Sequence, residues 1–347
     1  MKKKYYIFLI YIISFLSNAQ TTTVVSGLNS PTGLILNGNE LYIAENSGGR
    51  ISKIDVTETT PTVTTVVSGL NLPGGLALNG NELYIAEFGG NKISKIDISA
   101  DTPTITTVIS GLNGPNGLVL NGNELYIAEN SGGKISKIDI SADTPEITTV
   151  VSNLESPNRL AIYGNYLYFS DESINGTISK IDITVNSPII TAVVSASVPY
   201  DLIPNGNELY IVEVSGGKVS KIDVTTDSPS TSIVVSGLNF PFALALNDNE
   251  LFIAENSGRI LKFELNALSL EDLEFNKVLS TYPNPSTQFI SITNLKSKVP
   301  YIIYNAIGAE ISSGVISNNE KIDIKTFVNG LYFLELKNEN TIKFIKK

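Results

Sequence analysis

Six acidic residues stand at the same place in six related segments: Glu45, Glu87, Glu129, Asp171, Glu213 and Glu255. Each closes an apolar run, and a ring of such carboxylates at a channel mouth is candidate chemistry for Ca²⁺, which takes several oxygen ligands. A structural role is the competing reading. Each acid sits beside a Gly-rich turn such as Asn46 to Gly49, whose N–H groups need acceptors. A single ion cannot use six equivalent positions, so the sixfold repetition favours the structural role.

A site that selects one ligand should instead break the repeat. The two positions after the Pro of each unit read Thr32-Gly33, Gly74-Gly75, Asn116-Gly117, Asn158-Arg159, Tyr200-Asp201 and Phe242-Ala243. The first two units are bare there. Asn116, Asn158, Arg159, Tyr200, Asp201 and Phe242 are therefore expected to line one side of a channel mouth with polar, charged and aromatic groups. The alternative is drift among duplicated units, with Arg159 and Asp201 pairing across neighbours. The chain has no His and no Cys to act as base, nucleophile or soft-metal ligand.

The elements that must position these residues are repeats. LNGNELYIAE occurs unchanged at Leu36 to Glu45, Leu78 to Glu87 and Leu120 to Glu129. The Ser that opens each unit falls at Ser26, Ser68, Ser110, Ser152, Ser195 and Ser236, at intervals of 42, 42, 42, 43 and 41 residues. Within a unit, Gly33 to Leu36, Glu40 to Ala44 and Ile51 to Val56 read as three strands, with Asn37-Gly38 as a hairpin signal. The β-branched run Val63 to Val67 supplies a fourth. Four short strands per period in the low forties predict an all-β, six-bladed propeller over residues 20–265. The sixth unit stops after its third strand, and Thr21 to Val25 is a fourth-strand sequence with no unit before it. The N-terminus is expected to complete the last blade and remove the free edges of an open stack.

Segments such as LYIAENSGGRISKID at Leu41 to Asp55 resemble those of NHL and SMP-30/gluconolactonase-like six-bladed propellers. The resemblance implies the fold, while such propellers serve as lactonases, lyases and inert platforms. It leaves a Ca²⁺-dependent lactonase as the alternative to a binding module. A further resemblance to streptogramin lyases through the ENSGG-like segments implies a His-dependent elimination, for which this chain has no His.

Lys2 to Lys4, the apolar run Tyr5 to Leu16 and Ser17-Asn18-Ala19 read as a signal peptide over 1–19, because the run is shorter than the ~20 residues of a spanning helix. Without Cys, the exported chain must rely on its buried core. Residues 20–265 hold 12 basic and 26 acidic side chains, net −14, while residues 266–347 hold 9 and 8, net +1. Such an acidic propeller repels phosphates, which excludes nucleic acid and leaves cations, neutral glycans, other small molecules and basic proteins as candidate partners.

Periodicity ends near Leu265, and residues 266–277 read as an acidic linker. Residues 278–347 break into strand-length apolar segments that predict a small β-sandwich. This segment closely resembles the type A C-terminal sorting domain of the type IX secretion system. The resemblance rests on Tyr282-Pro283-Asn284-Pro285, Tyr304-Asn305 with Gly308, Ile322-Asp323, Gly330-Leu331-Tyr332 and the basic end Lys343, Lys346 and Lys347. It implies recognition by the outer-membrane secretion machinery, then release from the cell or attachment to its surface.

Overall fold

The computed structural model describes residues 21–172, 176–265, 280–293, 295, 298–336 and 341–347. The expected signal peptide and linker lie outside the described residues. Internal contacts divide the chain into two units, Ala19–Ala267 and a C-terminal unit beginning at Leu268.

The first unit is a ring of six four-stranded antiparallel sheets. Blade one consists of Pro31–Asn37, Glu40–Glu45, Arg50–Asp55 and Thr64–Ser68, from the channel outward, and blades two to five repeat this order. Residues Asn37 and Glu40 pair directly, so Gly38 and Asn39 form a two-residue hairpin. Gly38 opens that loop at φ +58°, which glycine adopts without steric cost. Blade six combines Pro241–Asn247, Glu250–Glu255 and Arg259–Glu264 with the N-terminal strand Thr22–Val25. Thr22 lies opposite Lys262 and Val25 opposite Ile260, and the inner strands of blades one and six touch, which closes the ring.

The core lies between blades. Strand side chains alternate between the two faces of a sheet, and here both faces meet a neighbouring sheet. The second strand of blade one accordingly buries Leu41, Tyr42, Ile43, Ala44 and Glu45 in succession. Leu41 and Ile43 pack with Phe252 and Ala254 of blade six, while Tyr42 and Ala44 pack with Leu83 and Ile85 of blade two. At the start of the second strand, ion pairs such as Glu40–Lys53 are half-exposed in five blades, while blade four has Tyr166 at that position.

The C-terminal unit has a three-stranded sheet (Ser280–Tyr282, Phe289–Thr293, Lys321–Asp323) and a four-stranded one. The latter runs Glu310–Ile316, Val299–Asn305, Gly330–Leu336 and Ile342–Lys346 in spatial order. Both sheets contribute to one core that includes Ile290, Ile292, Ile303, Ile322, Leu334 and Phe344. Among the described residues no helix is long and apolar enough to cross a membrane.

Removing residues 21–25 strips two half-buried valines and uncovers the edge of Arg259–Glu264. We expect a loss of about 3 kcal/mol and a melting midpoint lower by roughly 10 °C, with concentration-dependent association by light scattering. An unchanged midpoint would mean that the strand does not hold the ring shut.

Candidate functional site

The inner strands begin on one face of the ring, and the residues there come as close as backbone allows. A Cβ placed on Gly33 would lie 2.1 Å from Gly74 O, and one on Gly74 would lie 2.8 Å from Asn116 Oδ1. The space that blades one and two leave bare is filled from blade four by Arg159. Its Nη1 donates to Asn116 O at 2.8 Å and to Asn116 Oδ1 at 2.6 Å, and its Nη2 donates across the channel to Thr32 O at 2.6 Å. The guanidinium carbon lies 4.8 Å from the centroid of the Tyr200 ring, a cation–π contact. Arg159 is only 4% exposed, so it plugs the throat and is withdrawn from solvent.

The other residues expected here gather around this plug. Asn116 Nδ2 donates to Asn158 Oδ1 at 2.8 Å and to the Tyr200 hydroxyl at 3.2 Å. Tyr200 meets Phe242 edge to face at 4.8 Å between ring centroids. The Asp201 carboxylate accepts Leu202 N–H at 3.0 Å and Leu244 N–H at 2.7 Å, bonding backbone where an ion pair with Arg159 was one expectation. Burial pushes the Asp201 carboxyl up, against the opposing pull of the nearby Arg159 charge and the two N–H groups.

Above the plug lies a cavity of about 470 Å³, lined among others by Asn116, Asn158, Tyr200 and Phe242. Three further lining residues, Phe88, Asn130 and Glu172, were not singled out from the sequence. They occupy the position just after the repeated acid, which reads Asn46, Phe88, Asn130, Glu172, Val214 and Asn256. Asn is the common residue of that column, so its departures Phe88 and Glu172 are legible in the sequence, whereas Asn130 is not. The rim is also strained: Ser30, Leu72, Val198 and Phe240, each just before the Pro, hold φ between +49° and +52°. Left-handed backbone at such residues is uncommon and concentrates at functional sites.

The six repeated acids do not surround the channel mouth. Glu45 and its equivalents lie on the sheet face that packs against the preceding blade, so their carboxylates are buried between sheets. Glu45 accepts Asn29 N–H at 2.7 Å, Ser52 Oγ–H at 2.5 Å and Arg50 Nε–H at 2.7 Å. Glu87, Glu129 and Glu213 take the corresponding backbone N–H, Ser hydroxyl and Lys. Asp171 accepts the N–H groups of Glu155 and Ser156, and Glu255 accepts Asn239 N–H and Arg259. The backbone donors come from the loop that enters the inner strand. The Gly-rich turn satisfies itself, as in Gly49 N–H to Asn46 O at 3.3 Å, which corrects the expected source of these bonds. Separated by blade and already saturated with donors, these carboxylates do not fit a Ca²⁺ site, and no group of three or more His, Cys, Asp or Glu forms a metal cluster among the described residues.

In the C-terminal unit the residues of the expected sorting signal are brought together from both ends. Tyr282 is 71% exposed. Asn284 Nδ2 donates to Lys343 O at 3.1 Å, and Ile345 N–H donates to Asn284 Oδ1 at 2.9 Å, which ties the opening motif (with Pro283 and Pro285) to the last strand. Lys347 N–H donates to Ser286 O at 2.9 Å, and Lys346 is buried with its Nζ on Lys347 O. Gly308 turns the chain at φ +81°, Asp323 accepts Lys325 N–H, and Gly330 pairs with Lys346 across the sheet. Tyr332 stacks on Phe344 at 5.4 Å.

Residues 280–347 match the family described as "Secretion system C-terminal sorting domain". The C-terminal unit is a sorting domain of the type IX secretion system, which implies export through that machinery. One curated relative, beta-agarase A of Zobellia galactanivorans, is 33% identical over 93 residues, which are 26% of this chain and 16% of that enzyme. The chain is also similar to the structure of a nidogen/laminin complex, with TM-score 0.55 and 14% identity over 79% of this chain and 92% of that one. A virginiamycin B lyase from Staphylococcus aureus aligns at TM-score 0.51 and 15% identity, over 94% of this chain and 98% of the lyase. At such identities these likenesses show the fold alone, shared by binding proteins and enzymes.

Two predictions follow from this geometry. Replacing Arg159 with Met removes three hydrogen bonds from a charged donor and leaves buried acceptors unpaired. Denaturant unfolding is expected to show a loss of about 3 kcal/mol, whereas a loss under 0.5 kcal/mol would mean that the throat does not need its plug. The second concerns pH. Hydrogen bonds from Lys53, Lys95 and Lys137 hold the carboxyls of Glu40, Glu82 and Glu124 below the ordinary range. For Glu45, burial raises the carboxyl, but bonds from Arg50, Ser52 and Asn29 outweigh it and the net displacement is downward. Carboxyls depressed in the folded state contribute stability that is present above their unfolded values and lost as pH falls through the depressed ones. Asp201, raised, runs the other way and is outnumbered. The melting midpoint should therefore not fall between pH 7 and 5, where only Asp201 could act and would raise it, and should drop below about pH 4; a midpoint at pH 3 equal to that at pH 7 would contradict this accounting.

Proposed function

We propose that this protein is a secreted or surface-displayed propeller that binds a ligand at its channel mouth, delivered by its C-terminal sorting domain. The observation that carries this reading is the asymmetry of the mouth. A ring built on one repeat has Phe88, Glu172, Tyr200 and Phe242 lining one cavity, each found at its position in a single blade only, beside Asn130 and Asn158. Scattered drift would distribute such changes over all surfaces. Here they converge on one concave spot, its polar members linked by hydrogen bonds and backed by a closed ring, which is the organisation of a small-molecule site.

The ring also suits the route. A cargo with no Cys holds together through sheet closure and inter-blade packing. Its acidic surface keeps it soluble outside the cell. The signal beside it is a separate unit with its own core, so recognition can proceed while the propeller stays folded.

Two measurements test the two halves. A chain truncated after residue 279 should accumulate in the periplasm by cell fractionation; its normal export would overturn the assigned route. A thermal-shift survey of the full chain against small molecules should yield a ligand whose stabilisation disappears in Phe88→Ala. A ligand that stabilises this variant and the parent equally would bind elsewhere.

A further inference from the structure

The polar groups of the channel mouth have their orientations fixed from two ends. A guanidinium carries donors only, so the Asn116 atom 2.6 Å from Arg159 Nη1 must be the amide oxygen. Asn116 therefore turns its nitrogen to Asn158 Oδ1 and to the Tyr200 hydroxyl oxygen. At the other end, ionised Glu172 can only accept, so the Asn158 atom 2.8 Å from Glu172 Oε2 must be the amide nitrogen. The two deductions meet at Asn158 and agree: its oxygen faces Asn116 and Asn130, and its nitrogen faces Glu172. One relay runs from Arg159 through Asn116 and Asn158 to Glu172, with every donor pointing away from the buried cation.

What remains for a ligand follows by subtraction. Asn130 gives Nδ2 to Asn158 Oδ1 at 2.9 Å and keeps its amide oxygen. Asn46 gives Nδ2 to Pro73 O at 3.1 Å and likewise keeps its oxygen. Glu172 keeps Oε1, and Tyr200, whose oxygen accepts from Asn116, keeps its own proton to donate. These groups line one cavity of about 470 Å³, together with the rings of Phe88 and Phe242. Amide oxygens, each with one spare N–H beside it, thus stand on blades one and three, a carboxylate oxygen on blade four and a hydroxyl donor on blade five, while blades two and six supply the aromatic faces and blade six also the Asn256 amide. The one cation, Arg159, is buried and bonded to Asn116 and Thr32.

This inventory selects a chemistry. A carboxylate, sulfate or phosphate has no proton for the three acceptors, meets the Glu172 charge, and finds no free cation. A single ammonium donates but cannot reach acceptors on three blades or accept from Tyr200. Hydroxyl groups spaced around a ring do both, and the C–H faces of that ring fit against aromatic side chains. We infer that the channel mouth takes a neutral saccharide unit, its hydroxyls read by Asn46, Asn130, Glu172 and Tyr200 and its face covered by Phe88 and Phe242. The inference rests on the reading of the mouth as a ligand site and names the ligand class.

The test uses calorimetry on the full chain at pH 7 with cellobiose, lactose and mannobiose as neutral probes. Digalacturonic acid serves as the anionic probe and deacetylated chitobiose as the cationic one. At least one neutral disaccharide should bind, about tenfold more weakly to Phe88→Ala and about fivefold more weakly to Glu172→Gln. Digalacturonic acid should bind at least about tenfold more weakly than the best neutral probe, and Glu172→Gln should narrow that gap. Failure of all three neutral probes, or equal binding of digalacturonic acid, overturns the saccharide assignment. Preference for chitobiose that vanishes in Glu172→Gln keeps the mouth as a ligand site and replaces the ligand class. Binding of any probe that ignores both substitutions removes the mouth itself as the site.

Discussion

Ring closure is the constraint on which everything else in the propeller depends. The inner strands of six sheets must converge on one axis, and the last sheet is completed only when Thr22–Val25 pairs with Arg259–Glu264. Closure sets how close the inner strands come, and that closeness admits no side chain at Gly33 or Gly74. Bare positions on one side of the throat then leave room for a single long side chain from the other. Arg159 fills it, and the orientations of Asn116, Asn158 and Tyr200 are consequences of where its donors land.

How much of this could be read from the residues differs by level. The fold was legible because the repeat states it six times, and the missing fourth strand of the last unit together with the spare Thr-Val segment at the start announced the closure. The plug residues were legible because they break the repeat at one column. Phe88 and Glu172 break a second column, the one after the repeated acid, which carries the same kind of signal, whereas Asn130 keeps that column's common residue and is marked by nothing in the sequence. The direction of a side chain was the harder matter. Glu45 follows Ile43 by two residues and therefore shares its face, which in a propeller is an interface between blades and not the channel.

The same geometry explains why a buried acid is kept in every blade. The loop that enters each inner strand leaves an N–H, at Asn29, Asn71, Asn113 and their equivalents, with no strand partner, and a carboxylate at the end of the second strand reaches it. Its charge is offset by a cation opposite it in the third strand, Arg50, Lys92, Lys134, Lys218 or Arg259. Blade four departs from this scheme: a shorter Asp171 takes two backbone N–H groups, and Thr177 stands where the cation would be. The blade that supplies Arg159 is thus the blade whose third strand has Thr177 opposite the buried acid.

That arrangement shapes the electrostatics of the mouth. Five blades hold a cation beside the buried acid within the sheet, and blade four instead places one, Arg159, at the axis, where two backbone carbonyls and one side-chain amide oxygen accept from it. A charge in such surroundings polarises the amides bonded to it, and each amide passes the polarisation on. The relay ends on Glu172, the exposed carboxylate of the cavity, which both accepts the last proton of the chain and offers its second oxygen at the rim. Positive charge is therefore held inside the plug and negative charge faces outward. On a propeller of net charge −14, no Lys or Arg stands among the described residues that line the mouth, and Glu172 adds a negative charge there. Selectivity there must come from hydrogen-bond geometry and ring contact, because the one available cation has been committed to holding the throat together.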